Sequence, residues 1–356
     1  MAEYISFQPS DFFNTNLFEG TSSELVITGV GFQPDMNWTK DRDQAGYHVI
    51  TDSARGATKT VFPDRTAIET TYAQGLKSFD SDGFTLGTDG TWNQSGDSMA
   101  SWNWKAGTTT GIATNGSTTI TPSAYSFNQT SGFSILKYTG NNTAGAKLAH
   151  GLDAAPHAIF VKNLDAVNDW YVYHRTLDAT ASEDYYLVLN TTGAKVDSNG
   201  AWYDTAPDSV NITLGSNASV NNTDDFIAYC FTEKFGYSKF ASYTGTGANG
   251  SSGSSSGVYV YTGFSPKFLV IKALDSEGWV MKTPVTDTPP YNASTRFLVA
   301  DTDAASSTGA LIDFTAQGFK MRNTLSSLNT NGQKYVYMAW AEFPIVSSND
   351  MPNVAR

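Results

Sequence analysis

The sequence predicts an all-β protein made of three tandem β-sandwich domains, jelly-roll or lectin-like, and three observations carry that expectation. One ordered set of words occurs three times along the 356 residues. Large side chains within those words stand two apart, the period of a strand face and not of a helix. Turn residues bound each apolar run, and no helical stripe persists beyond a few turns.

Each block opens on a strand that ends in glycine: Leu17-Phe18-Glu19-Gly20, Lys137-Tyr138-Thr139-Gly140 and Ser242-Tyr243-Thr244-Gly245. A proline then precedes a lysine by six positions, as Pro34 and Lys40, Pro156 and Lys162, Pro266 and Lys272. Between them, Met36-Asn37-Trp38, Ile159-Phe160-Val161 and Leu269-Val270-Ile271 read as strands opened by a turn, a place where a sheet tolerates proline. Aromatic-led strands follow at 47–50, 170–173 and 279–281. Gly83-Phe84-Thr85-Leu86, Val210-Asn211-Ile212-Thr213-Leu214 and Gly318-Phe319-Lys320-Met321 share the next slot, each ahead of a turn holding Asn93, Asn221 or Asn329. Closing strands at 99–104, 226–231 and 335–340 carry the pairs Trp102/Trp104, Tyr229/Phe231 and Met338/Trp340. Copies spaced by about 110 to 120 residues are domain-sized, whereas solenoids and propellers repeat every 20 to 50 or so.

The expected organisation is an aromatic lead-in and first sandwich over 1–107, a Gly/Ser/Thr-rich linker over 108–131 with a short strand at Thr118-Thr119-Ile120, a second sandwich over 132–236, a third over 237–343, and a polar tail over 344–356. The lead-in, with Tyr4, Phe7, Phe12 and Phe13, is apolar enough to pack on its own first domain or a neighbouring subunit. The main insertion of the third block, 245–257, reads as a loop.

Composition narrows the function. A formal net charge of −12 argues against phosphate backbones and anionic membranes, whose partners need clustered Lys and Arg. No run approaches the length of a membrane span, and the start carries neither a basic nor an apolar leader, so synthesis in a cytoplasm is expected. The one cysteine, Cys230, can form no disulfide within the chain. Sequons such as Asn37-Trp38-Thr39 are what an Asn- and Thr-rich chain produces by chance.

The chemistry-bearing candidates favour structural readings. Asp80-Ser81-Asp82-Gly83 resembles the opening of a calcium loop, but its glycine is fourth rather than sixth, Thr91 stands at the twelfth place, and the third block has Thr315-Ala316-Gln317-Gly318 there. It reads as a turn. His48, His150, His157 and His174 lack metal-ligand spacing, and Cys230 lies in the apolar run 226–231 as a buried thiol. No strand offers two carboxylates in the arrangement glycoside hydrolysis needs. Hence no catalytic, cofactor-binding or metal residue is assigned. Loop and lead-in aromatics remain as interaction candidates: Phe12, Phe13, Trp92, Trp202 and Tyr203, each able to stack a sugar or anchor an interface, or to cap a sandwich.

Several words also resemble a repeat-containing family of tailed-bacteriophage virion proteins. They include Phe12-Phe13-Asn14-Thr15, Thr28-Gly29-Val30-Gly31-Phe32-Gln33-Pro34-Asp35, Ser78-Phe79-Asp80-Ser81-Asp82-Gly83-Phe84, Gly236-Tyr237-Ser238-Lys239-Phe240 and Tyr261-Thr262-Gly263-Phe264. The resemblance runs from about Phe12 to Phe343 and departs at Trp38-Thr39-Lys40 and Trp102-Asn103-Trp104. It implies a non-enzymatic structural protein of the virion, a tail fibre or tail appendage, made in the host cytoplasm and presenting surfaces to virion neighbours or host attachment sites. A homo-oligomer, a trimer first, and contact with a host surface glycan follow from the same analogy. The alternatives are a capsid decoration or head fibre protein and a carbohydrate-binding, lectin-like protein.

Overall fold

The structure, a computed structural model, describes residues 6–249, 257–286 and 292–344. It is all-β. Tyr4, most of the third-block insertion and the tail beyond 344 lie outside the described residues.

Each block lays down the same antiparallel sheet. In block 1 the opening strand Phe13–Glu19 pairs with the closing strand Ser98–Trp104, followed by Met36–Asp41, Val49–Asp52 and Lys59–Val61. Block 2 repeats this order with Phe133–Thr139, Asp225–Phe231, Ala158–Asn163, Tyr171–His174 and Tyr185–Val188. Block 3 uses Ser238–Thr244, Lys334–Pro344, Phe264–Ala273, Val280–Lys282 and Ser294–Val299. The closing strand thus always inserts between the opening strand and the Pro-to-Lys strand. A second, smaller layer covers the outer face: Leu25–Ile27, Gly83–Leu86 and Leu76–Asp80 in block 1, Ala146–Ala149 with Asn211–Leu214 in block 2. In block 3 the strand Ser307–Thr315 joins both layers into one eight-stranded sheet that curls toward a barrel, so that Tyr243 and Val260 from its two edges share a core.

These inner sheets are buried on both faces. Every residue of Met36–Asp41 and Ala158–Asn163 is inside. Side-chain alternation sends Ile159 and Val161 into the outer core of block 2, while Ala158 and Phe160 point the other way. That other way is one central core shared by all three blocks. Trp104, Phe231 and Trp340, the same closing-strand slot in each copy, meet there edge to face, with ring centroids 6.3, 5.4 and 5.4 Å apart. A wholly apolar void of about 20 Å³ lies among them.

Equivalent bonds close the blocks into a ring. The carbonyl two residues beyond each repeated lysine accepts a backbone N–H from the neighbouring block: Leu164 from Glu69 at 2.9 Å, Leu274 from Lys195 at 3.0 Å, and Arg42 from Ser306 at 2.8 Å. The third of these joins block 3 back to block 1. Trp170 Nε1 donates to Phe62 O of block 1 and Trp279 Nε1 to Val188 O of block 2. His48 takes the tryptophan slot of block 1, facing the Val299 carbonyl of block 3. A pseudo-threefold arrangement results.

The segment 108–131, expected as a linker, holds more structure than its composition suggested. Tyr125-Ser126-Phe127 alternates within the strand Ala124–Asn128, which pairs with the opening strand of block 2, and Thr118-Thr119-Ile120 ends in a parallel bridge from Ile120 to Leu148.

Candidate functional site

The repeated words turn out to be clasps. Asn93, Asn221 and Asn329 are fully buried, and each side-chain oxygen accepts the N–H of the residue after an opening glycine: Thr21, Asn141 and Thr246 at 2.7, 2.8 and 2.8 Å. Each amide nitrogen then donates to two carbonyls, Ser23 and Gly87, Thr143 and Gly215, Ala248 and Asn323. The chain comes so close that a Cβ on Gly20 would lie 2.0 Å from the Gln94 carbonyl oxygen, with 2.0 Å and 2.2 Å at Gly140 and Gly245.

The three lysines are buried at the seams between blocks. Lys162 Nζ donates to Asn163 O and Asn168 O and, across the seam, to Thr66 O of block 1. Lys272 does the same toward Ala273, Asp275 and Thr192 of block 2. Lys40 holds Asp41 O and Gln44 O. Burial pushes Lys162 and Lys272 down to about 8 and lowers Lys40 as well. At the seam of blocks 1 and 2, Arg55 bridges Asp52 and Glu69, and Tyr229 donates to Asp52 at 2.7 Å.

Other titratable groups serve the fold. Burial lowers His157 to about 4 and His174 to about 3, and the His174 ring lies 3.2 Å from the Tyr337 carbonyl of block 3. His48 and His150 are lowered by burial too, and burial raises the enclosed Cys230 thiol. Asp80 accepts from Ser78 and Thr85, and Asp82 from the Gly29 and Gly31 amides, so the calcium-like word is a hairpin turn whose acceptors are occupied by the chain.

Of the interaction candidates, three are interior. Phe13 stacks in the central core on Phe268 and Trp340. Trp92 fills the outer core of block 1, in the one-turn helix Gly90–Asn93, and Trp202 fills that of block 2 against Tyr173. Turn-rich flanks marked them as loop residues, but short helices fold these rings inward as caps. Phe12 is half-buried with Phe7 against Tyr237. Tyr203 is exposed, its left-handed backbone at φ 55° swinging the ring over Gly145.

Two open polar grooves occupy equivalent seams, and sequence reading missed both. One, of about 350 Å³, joins Asp41, Gln44, Tyr47 and Gln94 of block 1 to Asp303 of block 3. The other, of about 520 Å³, joins Leu177, Asp178 and Lys195 of block 2 to Asp275, Asn331 and Lys334 of block 3. Their walls come from distant parts of the chain, which no local pattern signals. Near the first, the Arg65 guanidinium sits 3.1 Å from the Tyr47 ring centroid, holding that ring in place.

The fold and surface define a class: an all-β protein of three internal copies ringed around one core, with polar seams. The chain belongs to the family described as a domain of unknown function, DUF7483, which it matches over residues 8–344. That match runs through all three blocks. No curated protein and no solved structure matches the chain.

Proposed function

We propose that the chain is a non-enzymatic structural protein of a tailed bacteriophage particle, a tail fibre or tail appendage component, with each block a small β-sandwich whose inner sheet also walls the shared core. The observation that carries this reading is the use of the repeated residues. The buried asparagines clasp each block internally, while the seam lysines and the strand aromatics of the shared core lock the three blocks into one rigid body, so the repeated residues serve the scaffold. The sequence resemblance to virion proteins supplies the particle, and homo-oligomer formation belongs to the same reading. Antibody labelling of intact particles under the electron microscope tests it: signal at the tail supports a fibre or appendage role, signal at the head supports a decoration protein, and unlabelled particles overturn both.

A second reading is favoured by the seam grooves. Carboxylates, amides and a fixed Tyr47 ring beside an open cleft are groups that hold sugar hydroxyls and ring faces. A glycan array with purified protein checks it, and an array without signal on any sugar leaves the scaffold role alone.

A further inference from the structure

The three seams use equivalent slots with different chemistry. Met36, Ala158 and Phe268 are the register partners of the central rings Trp104, Phe231 and Trp340. On the next strand Asp52 faces Met36, His174 faces Ala158, and Thr283, one step past the Leu269–Lys282 pair, falls opposite Phe268. Asp52, His174 and Thr283 therefore hold one slot. The ring bonds put Glu69, Lys195 and Ser306 in a second, and Trp102, Tyr229 and Met338, two residues ahead of the central rings, hold a third. Where blocks 1 and 2 meet, these slots form a closed ionic network: the Asp52 carboxylate accepts from Arg55 at 2.6 Å and from Tyr229 at 2.7 Å, and Glu69 pairs with Arg55 and Lys59. Where blocks 2 and 3 meet, His174 bonds the Tyr337 carbonyl and Met338 offers no donor.

Where blocks 3 and 1 meet, both carboxylate slots hold hydroxyls, Thr283 and Ser306, and the cations stay. Arg42 and Arg296 wall one small cavity together with Trp102, Thr283 and Ser306. Arg296 Nη1 donates to Ser306 Oγ at 3.2 Å. The Arg42 Nε–H, the Trp102 indole N–H and the Thr283 hydroxyl are buried and make no hydrogen bond among the described residues. Trp102 and Thr283 are only 1% and 2% exposed. Bare indole N–H groups also occur at Trp92, Trp104 and Trp202, but this seam gathers three kinds of donor and two guanidinium groups around one cavity. Asp43 acts on both guanidinium groups from the surface, where its carboxylate holds the Ser98 N–H at 2.8 Å. Buried donors call for an acceptor, and buried cations for an anion. We propose that the cavity binds one halide ion, chloride by chemistry, which takes the part that the Asp52 carboxylate plays at the seam of blocks 1 and 2. A volume of about 10 Å³ is room for one water-sized sphere, which leaves out phosphate, sulfate and sugar acids. Water fits by size but not by hydrogen count. The Arg and Trp N–H groups use both of its lone pairs, Thr283 Oγ1 takes one of its hydrogens, and the other is left facing cations. A halide accepts from all three donors and balances charge as well.

The halide site does not depend on the virion reading, and the full chain serves to test it. Urea unfolding is followed in sodium gluconate, whose anion is too large for the cavity, while chloride replaces gluconate at constant ionic strength. The folding equilibrium constant should rise saturably, by about three- to tenfold at about 150 mM chloride. Thr283→Asp installs the carboxylate of the Asp52 slot, so in gluconate it should be at least as stable as wild type and its chloride response should be flat. Arg42→Met removes the cation and one donor while keeping the Arg42 carbonyl that accepts Ser306 N–H, and it should flatten the response too. It keeps the test valid should Thr283→Asp not fold. In crystals grown with bromide, an anomalous-scattering peak is expected among Arg42, Trp102 and Thr283. A wild-type chain indifferent to chloride holds water there and overturns the proposal. A chloride response kept in full by the folded variants, or bromide peaks that miss the cavity, overturns it equally.

Discussion

A buried asparagine with three hydrogen bonds recurs at positions 93, 221 and 329, and its equivalence across blocks gives a sharp expectation. Replacing any one by alanine leaves a buried N–H and two carbonyls without partners, a loss of about 2–4 kcal/mol. The three variants should shift the urea midpoint alike; a shift in one and none in another would mean the clasps are not equivalent. The seam lysines report through pH. The folded Lys162 sits at about 8 against 10.5 for an unconstrained lysine. Between those values the unfolded chain holds more protons, so stability rises with pH from about 8 to 10.5 and is flat below. The gap between wild type and Lys162→Met, followed by denaturation across pH 7 to 10.5, should therefore widen in favour of wild type as pH rises. Asn, Gly and Lys slots were all legible in the sequence. Their burial was not, because a polar residue in a repeat looks the same whether it meets water or a carbonyl.

At the scale of the strand, the signal for two-sided burial was present in Ile159-Phe160-Val161, an unbroken apolar run where a sheet with one wet face would alternate. Copies in a row and copies in a ring leave the same sequence signature, and block 1 hides its two-sided burial further, because Asn37 and Thr39 stand in the equivalent run with their side chains in buried hydrogen bonds. The strand Ala124–Asn128 was hidden by Ser- and Thr-rich surroundings, and Trp92 and Trp202 by their turn-rich flanks. Seam contacts join residues about a hundred positions apart, beyond any local pattern. Trp170→Phe and Trp279→Phe each remove an indole N–H bond to the preceding block while keeping an aromatic ring, and each should lower stability by about 1–3 kcal/mol. Because the two bonds belong to different seams, the double variant should be near additive in chemical denaturation.

For the molecule as a whole, the central core makes the three blocks one cooperative unit. Each inner sheet owes one face to its neighbours, so no block keeps its burial alone. Scanning calorimetry of the full chain should give a single transition, with calorimetric and van't Hoff enthalpies in agreement; three resolved transitions would show independent domains. A fragment of residues 132–236 should expose Phe160, Tyr229 and Phe231 and either aggregate or self-assemble, read by light scattering.

In every copy the strand made last lies between the opening strand and the Pro-to-Lys strand, and Trp340, one of the three rings at the centre, belongs to the strand Lys334–Pro344. During synthesis the hydrophobic faces of blocks 1 and 2 therefore wait, uncovered, until the last strand of block 3 has left the ribosome. That strand acts as a checkpoint: a chain cut short anywhere before it leaves an open apolar wound that quality control can recognise, and only a chain that includes it presents a finished core.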